Sequence, residues 1–355
     1  MAEKLMKAIR LNAPNDFEFC DIPIPSIKSH EILARVETVA ICGTDPHIFA
    51  GEYPGFWPKS FPLIPGHEWS GTIVRAGEAA KDLGWKEGER LCGISHVGCG
   101  YCAMCMKGRY TLCLNYGHEE KGHRQYGHYS QGAYAQYIAV SVKSIARIPD
   151  SMSFNVAACM DPFSIALHAV QRSNLEPGDS VLVNGSGAQG LMSIMIARAM
   201  GAGRIFASGS GFRLQVAAQL GAIPINYKNE DVVERIKELT QGLGVSRVIE
   251  CSGTPDGVKQ ACEAVAKGGT ISMISLPSKE VDIPIRRLVL DEIDLRGNRA
   301  NPNTLEPAIA MVQENHIDLE RLITHSFPLS EFSEAFDIFV NRKDNSLKVV
   351  LKPND

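Results

Sequence analysis

Beyond about residue 155 the chain alternates short apolar strands with helices, a rhythm that restricts it to few folds. Ser180–Asn184 reads as a buried strand, followed by a glycine turn and the apolar helix Leu191–Met200. Arg204–Ser208, the helix Arg213–Leu220 and a strand near Ile225 come next. The helix Asp231–Thr240 places Val232, Val233, Ile236 and Leu239 on one face. Strands at Arg247–Glu250 and Thr270–Ile274 flank a further helix near Gly257–Ala266. Such alternation predicts a parallel sheet with helices on both faces. Before residue 155, β-rich runs such as Glu31–Ala40 and Ser70–Arg75 are broken by proline and glycine turns, predicting a compact, barrel-like β domain. Two domains suit 355 residues. The last segment, from residue 299, mixes strand and helix again and is expected to rejoin the first domain. Leu114–Gln131 reads as a polar loop with three histidines.

The turn Gly185-Ser-Gly187-Ala-Gln189-Gly190 follows a predicted strand and opens a helix, the context in which a glycine pattern predicts a dinucleotide site. The first glycine allows the tight turn, the second admits a pyrophosphate, and the third lets helix and strand pack closely. The helix N-terminus offers amide donors and partial positive charge. The acidic residue that would bond an adenosine ribose is replaced by Ser208, within Ala207-Ser-Gly-Ser210-Gly-Phe-Arg213. A carboxylate would repel a 2′-phosphate, whereas Ser208, Ser210 and Arg213 could accept one, so NADP is favoured over NAD.

Cys99, Cys102, Cys105 and Cys113 are separated by two, two and seven residues. One short lobe can therefore wrap four thiolates around a tetrahedral zinc, with no position open to a substrate. No signal peptide or membrane span is evident, so a cytoplasmic location is expected, where ten cysteines stay reduced. Hydrophobic residues at 45% and charged residues at 21% describe a globular chain. A formal charge of -4 gives no reason to expect nucleic acid or an anionic membrane as partner. A second constellation, Cys42-Gly-Thr44-Asp45-Pro-His47 with Gly66-His67-Glu68, offers thiolate, imidazole and carboxylate for a zinc site with an open position.

Taken in order, Gly43–Phe49, Gly66–Glu68, the four-cysteine lobe, Asp161–His168, the glycine turn and Ile323–Leu329 make the sequence resemble the zinc-dependent medium-chain dehydrogenases over essentially its full length. Within them it looks most like the polyol (sorbitol-type) and threonine dehydrogenase branch. The resemblance implies an α/β protein: a GroES-like β-rich catalytic domain (1–157 and 299–355, zinc lobe about 95–115) plus a Rossmann-type doubly wound domain (158–298). It further implies Cys42, His67 and Glu68 as ligands of a catalytic zinc. Asp161 binds it directly or through water, and Cys159 is the less favoured ligand. Asp45 is expected to buttress the histidine, and Arg299 to lie near cofactor and substrate.

The implied activity is oxidation of a secondary alcohol, polyol or amino alcohol to the carbonyl, and its reverse, with NAD(P). Thr44 would take the hydroxyl proton and His47 relay it, while the cofactor accepts hydride. L-Threonine 3-dehydrogenase-like activity and a non-catalytic cofactor-sensing relative are the alternatives. A zinc-free reductase would lack the Cys42, His67 and Glu68 set, and a nucleic-acid-binding zinc ribbon would want a basic surface. Tyr53, Phe56, Trp57 and Trp69 either line the pocket or serve as core aromatics. Relatives of this branch are commonly homotetramers.

Overall fold

A parallel sheet of six strands organises the second half of the chain. The computed structural model describes residues 4–277 and 279–355, and its residues fall into two compact units. One takes the chain up to Asp161 with Leu305–Ile309 and Asp318–Asp355; the other takes Pro162–Thr304 with Ala310–Ile317. The division falls inside the helix Met160–Arg172.

In the second unit six parallel strands lie in the order Ile223–Asn226, Ile205–Gly209, Val181–Asn184, Val245–Glu250, Val265–Met273, Asp294–Gly297. This is the expected doubly wound sheet. The chain builds outward from Val181–Asn184 on one side, then crosses to its other side, leaving a switch point between Asn184 and Glu250. Central strands are fully buried, as the near-continuous apolar runs require. Helices Ala188–Ala199, Gly211–Gln219, Val232–Leu239 and Pro255–Ala264 connect them. Asp231 and Thr254 cap the last two, accepting from the amides of Glu234 (2.9 Å) and Gly257 (3.0 Å).

The first unit is built around the strand Glu31–Ala40, buried along most of its length. Glu68–Ala76 and Tyr137–Ser141 pair with it antiparallel, and so does Lys348–Lys352 from near the C-terminal end. Phe17, Phe49, Phe332 and Phe336 pack a ring cluster beneath this sheet. The segment Leu114–Gln131 departs from the polar-loop reading. His123, Gln125, Tyr126, His128 and Tyr129 are buried there. Side-chain bonds satisfy them: Trp57 Nε1 donates to Tyr116 (2.7 Å), Tyr116 donates to Gln125, and His123 pairs with Tyr129. Among the described residues no helix is long and apolar enough to cross a membrane.

Candidate metal centre and dinucleotide turn

Strand register brings the first site together. Ala40 opposes Glu68 on one side and Val350 on the other, and the Ile41 amide bonds the Val349 carbonyl at 2.9 Å. Cys42, just past the end of its strand, therefore meets Glu68 and Lys348 at the starts of theirs. His67 is aimed by Gly66, whose φ of +88° suits glycine and whose added Cβ would stand 2.7 Å from the Tyr134 ring. Donor atoms of Cys42, His67 and Glu68 all lie within 4.8 Å of one another. Asp161, 1% exposed at the start of its helix, is not among these converging donors. Cys159 is fully buried, and burial pushes its thiol up to about 12, the behaviour of a small hydrophobe.

Asp45 ties the site together. Its Oδ2 accepts from the Cys42 amide (2.8 Å) and the Tyr134 hydroxyl (2.5 Å), while Oδ1 faces His67 Nδ1 at 3.8 Å. Burial raises the Asp45 carboxyl, partly offset by His67, Tyr134 and the Cys42 amide. Burial also pushes the Tyr134 phenol well up, with Asp45 adding, so Tyr134 stays a donor. Desolvation, then Glu68 and Asp45, hold the Cys42 thiol well above its usual range. Thr44 Oγ1 donates to Cys42 Sγ at 3.3 Å, and His47 follows one turn later.

Two residues escaped the sequence reading here, Tyr134 and Lys348. Lys348 Nζ donates to the Ile41 carbonyl (3.0 Å) and to Glu68 Oε2, with both charged side chains about 3% exposed. Burial alone would lower the Lys348 ammonium. Glu68 first, then Cys159 and Cys42, carry it above its usual range.

The site fits zinc. A sulfur, an imidazole and a carboxylate converge within 4.8 Å, a donor set that suits this ion. The four sulfurs of Cys99, Cys102, Cys105 and Cys113 converge likewise. Amides of Cys99, Cys102 and Leu114 donate to sulfur at 3.4 Å, and Asn115 Nδ2 to Cys99 Sγ at 3.3 Å. Backbone amides of Cys105 and Leu114 hold the Cys102 thiol down at about 6, whereas burial pushes Cys105 up to about 12.

In the second unit the glycine turn has the shape the sequence implied. Gly185 has φ +106°, and a Cβ there would lie 2.9 Å from Ser252 backbone. At Gly187 a Cβ would meet nothing closer than an Arg213 nitrogen at 4.0 Å, leaving the outer side open for a phosphate. At Gly190 it would overlap the Gly185 carbonyl oxygen. Gly190→Ala is thus expected to cost about 1–3 kcal/mol through backbone overlap and to weaken NAD(P) binding at least about tenfold. Thermal unfolding and a fluorescence titration with reduced cofactor check this; unchanged values in both would refute it. Gln189 Oε1 is buried beside the turn with no partner. Ser208 is 4% exposed and donates inward to Asn184 Oδ1 (2.6 Å), whereas Ser210 donates to Tyr227 (3.2 Å). Arg299 is half-buried just after the edge strand.

Comparison with known proteins agrees with this geometry. Residues 28–150 match the alcohol dehydrogenase GroES-like domain, and residues 188–314 match the zinc-binding dehydrogenase domain. The chain is 32% identical over 352 residues to sorbitol dehydrogenase of Bacillus subtilis, covering 98% of each. It is 33% identical over 340 residues to L-threonine 3-dehydrogenase of Bacillus licheniformis, covering 94% of each. A zinc-binding dehydrogenase of Sinorhizobium meliloti, solved bound to NADP, superposes with a TM-score of 0.90 at 30% identity, covering 99% of this chain and 100% of that one.

Proposed function

Because the chain belongs to the zinc-dependent medium-chain alcohol dehydrogenase family, we propose that Cys42, His67 and Glu68 hold the metal on which its alcohol chemistry depends. It is an NAD(P)-dependent, zinc-containing oxidoreductase acting on CH–OH groups. The observation that carries the site assignment is the convergence of those three unlike donors within 4.8 Å. Zinc supplies Lewis acidity that makes a hydroxyl easier to deprotonate, and NAD(P) supplies the hydride acceptor.

The chain's own side chains do the rest. Asp45 holds His67 in place, with Tyr134 and the Cys42 amide fixing Asp45 in turn. Asp161, outside the three converging donors, would act on the metal through water rather than as a direct ligand. Thr44, its hydroxyl beside Cys42, takes the proton from the alcohol, and His47 passes it towards solvent. The four-cysteine lobe is structural. Thr44→Ala is expected to lower turnover by about two orders of magnitude, the scale of a lost acid–base group, with zinc content intact. A full rate would remove Thr44 from the relay.

NADP is the favoured cofactor. No carboxylate follows the strand Ile205–Gly209, Ser210 bonds Tyr227, and an Arg213 nitrogen lies near Gly187, groups able to receive a 2′-phosphate. Ser208 supports the strand instead. Arg299 is assigned to the neighbourhood of cofactor and substrate. A homotetramer is supported by exposed Leu276, Ile285, Val289 and Leu290, just ahead of the edge strand Asp294–Gly297 in sequence. Ten free cysteines suit a reducing cytoplasm. The substrate class is a secondary alcohol, polyol or amino alcohol.

The test joins metal analysis to a panel of polyols, L-threonine and simple secondary alcohols, each with NAD and NADP. About two zinc ions per chain are expected, one closed and one open site, with turnover higher on NADP. One zinc or none, without turnover, would favour the cofactor-sensing reading. A clear preference for NAD would overturn the cofactor assignment alone.

A further inference from the structure

The turn after the helix Asp45–Phe49 carries a side chain that the chemistry above does not use. The Glu52 amide donates to the His47 carbonyl at 3.0 Å, and Glu52 Oε2 lies 2.6 Å from His47 Nδ1. The backbone fixes this arrangement. Gly51 has φ +67°, an added Cβ there would stand 2.8 Å from Pro14, and the Asn15 amide bonds the Phe49 carbonyl at 2.7 Å. Glu52 is therefore set beside the imidazole from two directions, main chain and side chain.

The chemistry of this contact is one-sided. An ionised carboxylate only accepts hydrogen bonds, so Nδ1 must be the nitrogen that bears hydrogen. A neutral imidazole has one N–H, which leaves Nε2 as its acceptor. Free neutral histidine favours the opposite tautomer. A relay needs a fixed vacant nitrogen, and the carboxylate supplies the fixing.

We propose that Glu52 is a positioning residue for proton transfer: it holds His47 in the Nδ1–H tautomer, so that Nε2 receives the proton leaving the alcohol. The inference rests on the relay reading of His47. The Thr44 hydroxyl takes the alcohol proton as it gives up its own, so that in sum one alcohol O–H bond breaks and one N–H bond forms at Nε2, with no change of oxidation state in this step. The resulting imidazolium faces the Glu52 carboxylate, and its proton is lost to water from a side chain 44% exposed. An exposed pair of this kind contributes little to stability. Its effect should therefore appear in proton transfer and not in folding.

The experiment uses the zinc-loaded full chain, labelled with 15N-histidine, as wild type, Glu52→Ala, Glu52→Asp, His47→Gln and the double variant Glu52→Ala/His47→Gln. Long-range proton–nitrogen spectra, with His47 assigned from its loss in His47→Gln, should show Nδ1–H in the wild type and Nε2–H in Glu52→Ala. With sorbitol, L-threonine and 2-propanol as alcohols, Glu52→Ala should lower kcat about tenfold, below the effect of losing an acid–base group outright. Glu52→Asp should recover part of that loss, and the unfolding temperature should not move. In the His47→Gln background, Glu52→Ala should add nothing, because both act through one ring. An unchanged tautomer, a full rate in Glu52→Ala beside a slow His47→Gln, or an equal loss in both backgrounds would overturn the proposal while leaving the relay standing. A full rate in His47→Gln would overturn the relay reading, and this inference with it.

Discussion

Replacing Lys348 by methionine should destabilise the metal-free protein by about 3–5 kcal/mol, the cost of stranding one member of a buried ion pair. Glu68 and Lys348 are each 2% exposed, and the ammonium bonds both Glu68 and the Ile41 carbonyl. Methionine fills similar space yet leaves the carboxylate buried beside the Cys42 thiol and Asp45, neither of which supplies a countercharge. Zinc should return part of the loss, because a dication beside Glu68 replaces the missing countercharge. The measurement is urea unfolding with and without zinc. All three tryptophans, Trp57, Trp69 and Trp85, lie in the metal-binding unit, so their fluorescence reports on it. An equal loss in both states would place Glu68 beyond the reach of the metal.

Cys105→Ser should remove one of two zinc ions and loosen the lobe between Gly98 and Gly122, without slowing the chemical step in molecules that remain folded. A structural zinc is worth about 10–16 kcal/mol in isolated zinc fingers, and losing one thiolate should forfeit several of these. The amides aimed at sulfur at 3.4 Å would lose their charged acceptors as well. Limited proteolysis should cut the lobe, zinc analysis should fall by one equivalent, and kcat per folded chain should hold. A fall in kcat matching the zinc lost, with the lobe uncut, would move this cluster into the chemistry.

What could be read from the sequence follows from how local each signal is. The glycine turn and the cysteine lobe are encoded within a few residues of one another, so spacing alone exposes them. Cys42, His67 and Glu68 lie only 26 residues apart at most, and type and neighbourhood marked them. Lys348 is separated from Glu68 by 280 positions, and Tyr134 from Asp45 by 89. Only strand register joins them. A lysine in the run Lys348–Lys352 has the period of a strand end and nothing to advertise a buried partner. Ser208 differs for another reason. Its place at the end of the strand offered it to a 2′-phosphate, whereas its hydroxyl donates inward to Asn184. His123 looked solvated because its aromatic partners, Tyr116 and Tyr129, are polar-tipped residues of the same segment and do not mark an inward face.

The late pairing of Lys348–Lys352 with Glu31–Ala40 has a consequence for synthesis. Strands made early, Glu31–Ala40 and Glu68–Ala76, cannot complete their sheet until the strand bearing the countercharge of Glu68 is available to pair. The parallel sheet, by contrast, is encoded almost without interruption and can form as a unit in the interval. Assembly is therefore vectorial in an inverted sense: the part encoded in the middle matures first, and the part encoded first is completed last, by a long-range closure that carries a high contact order.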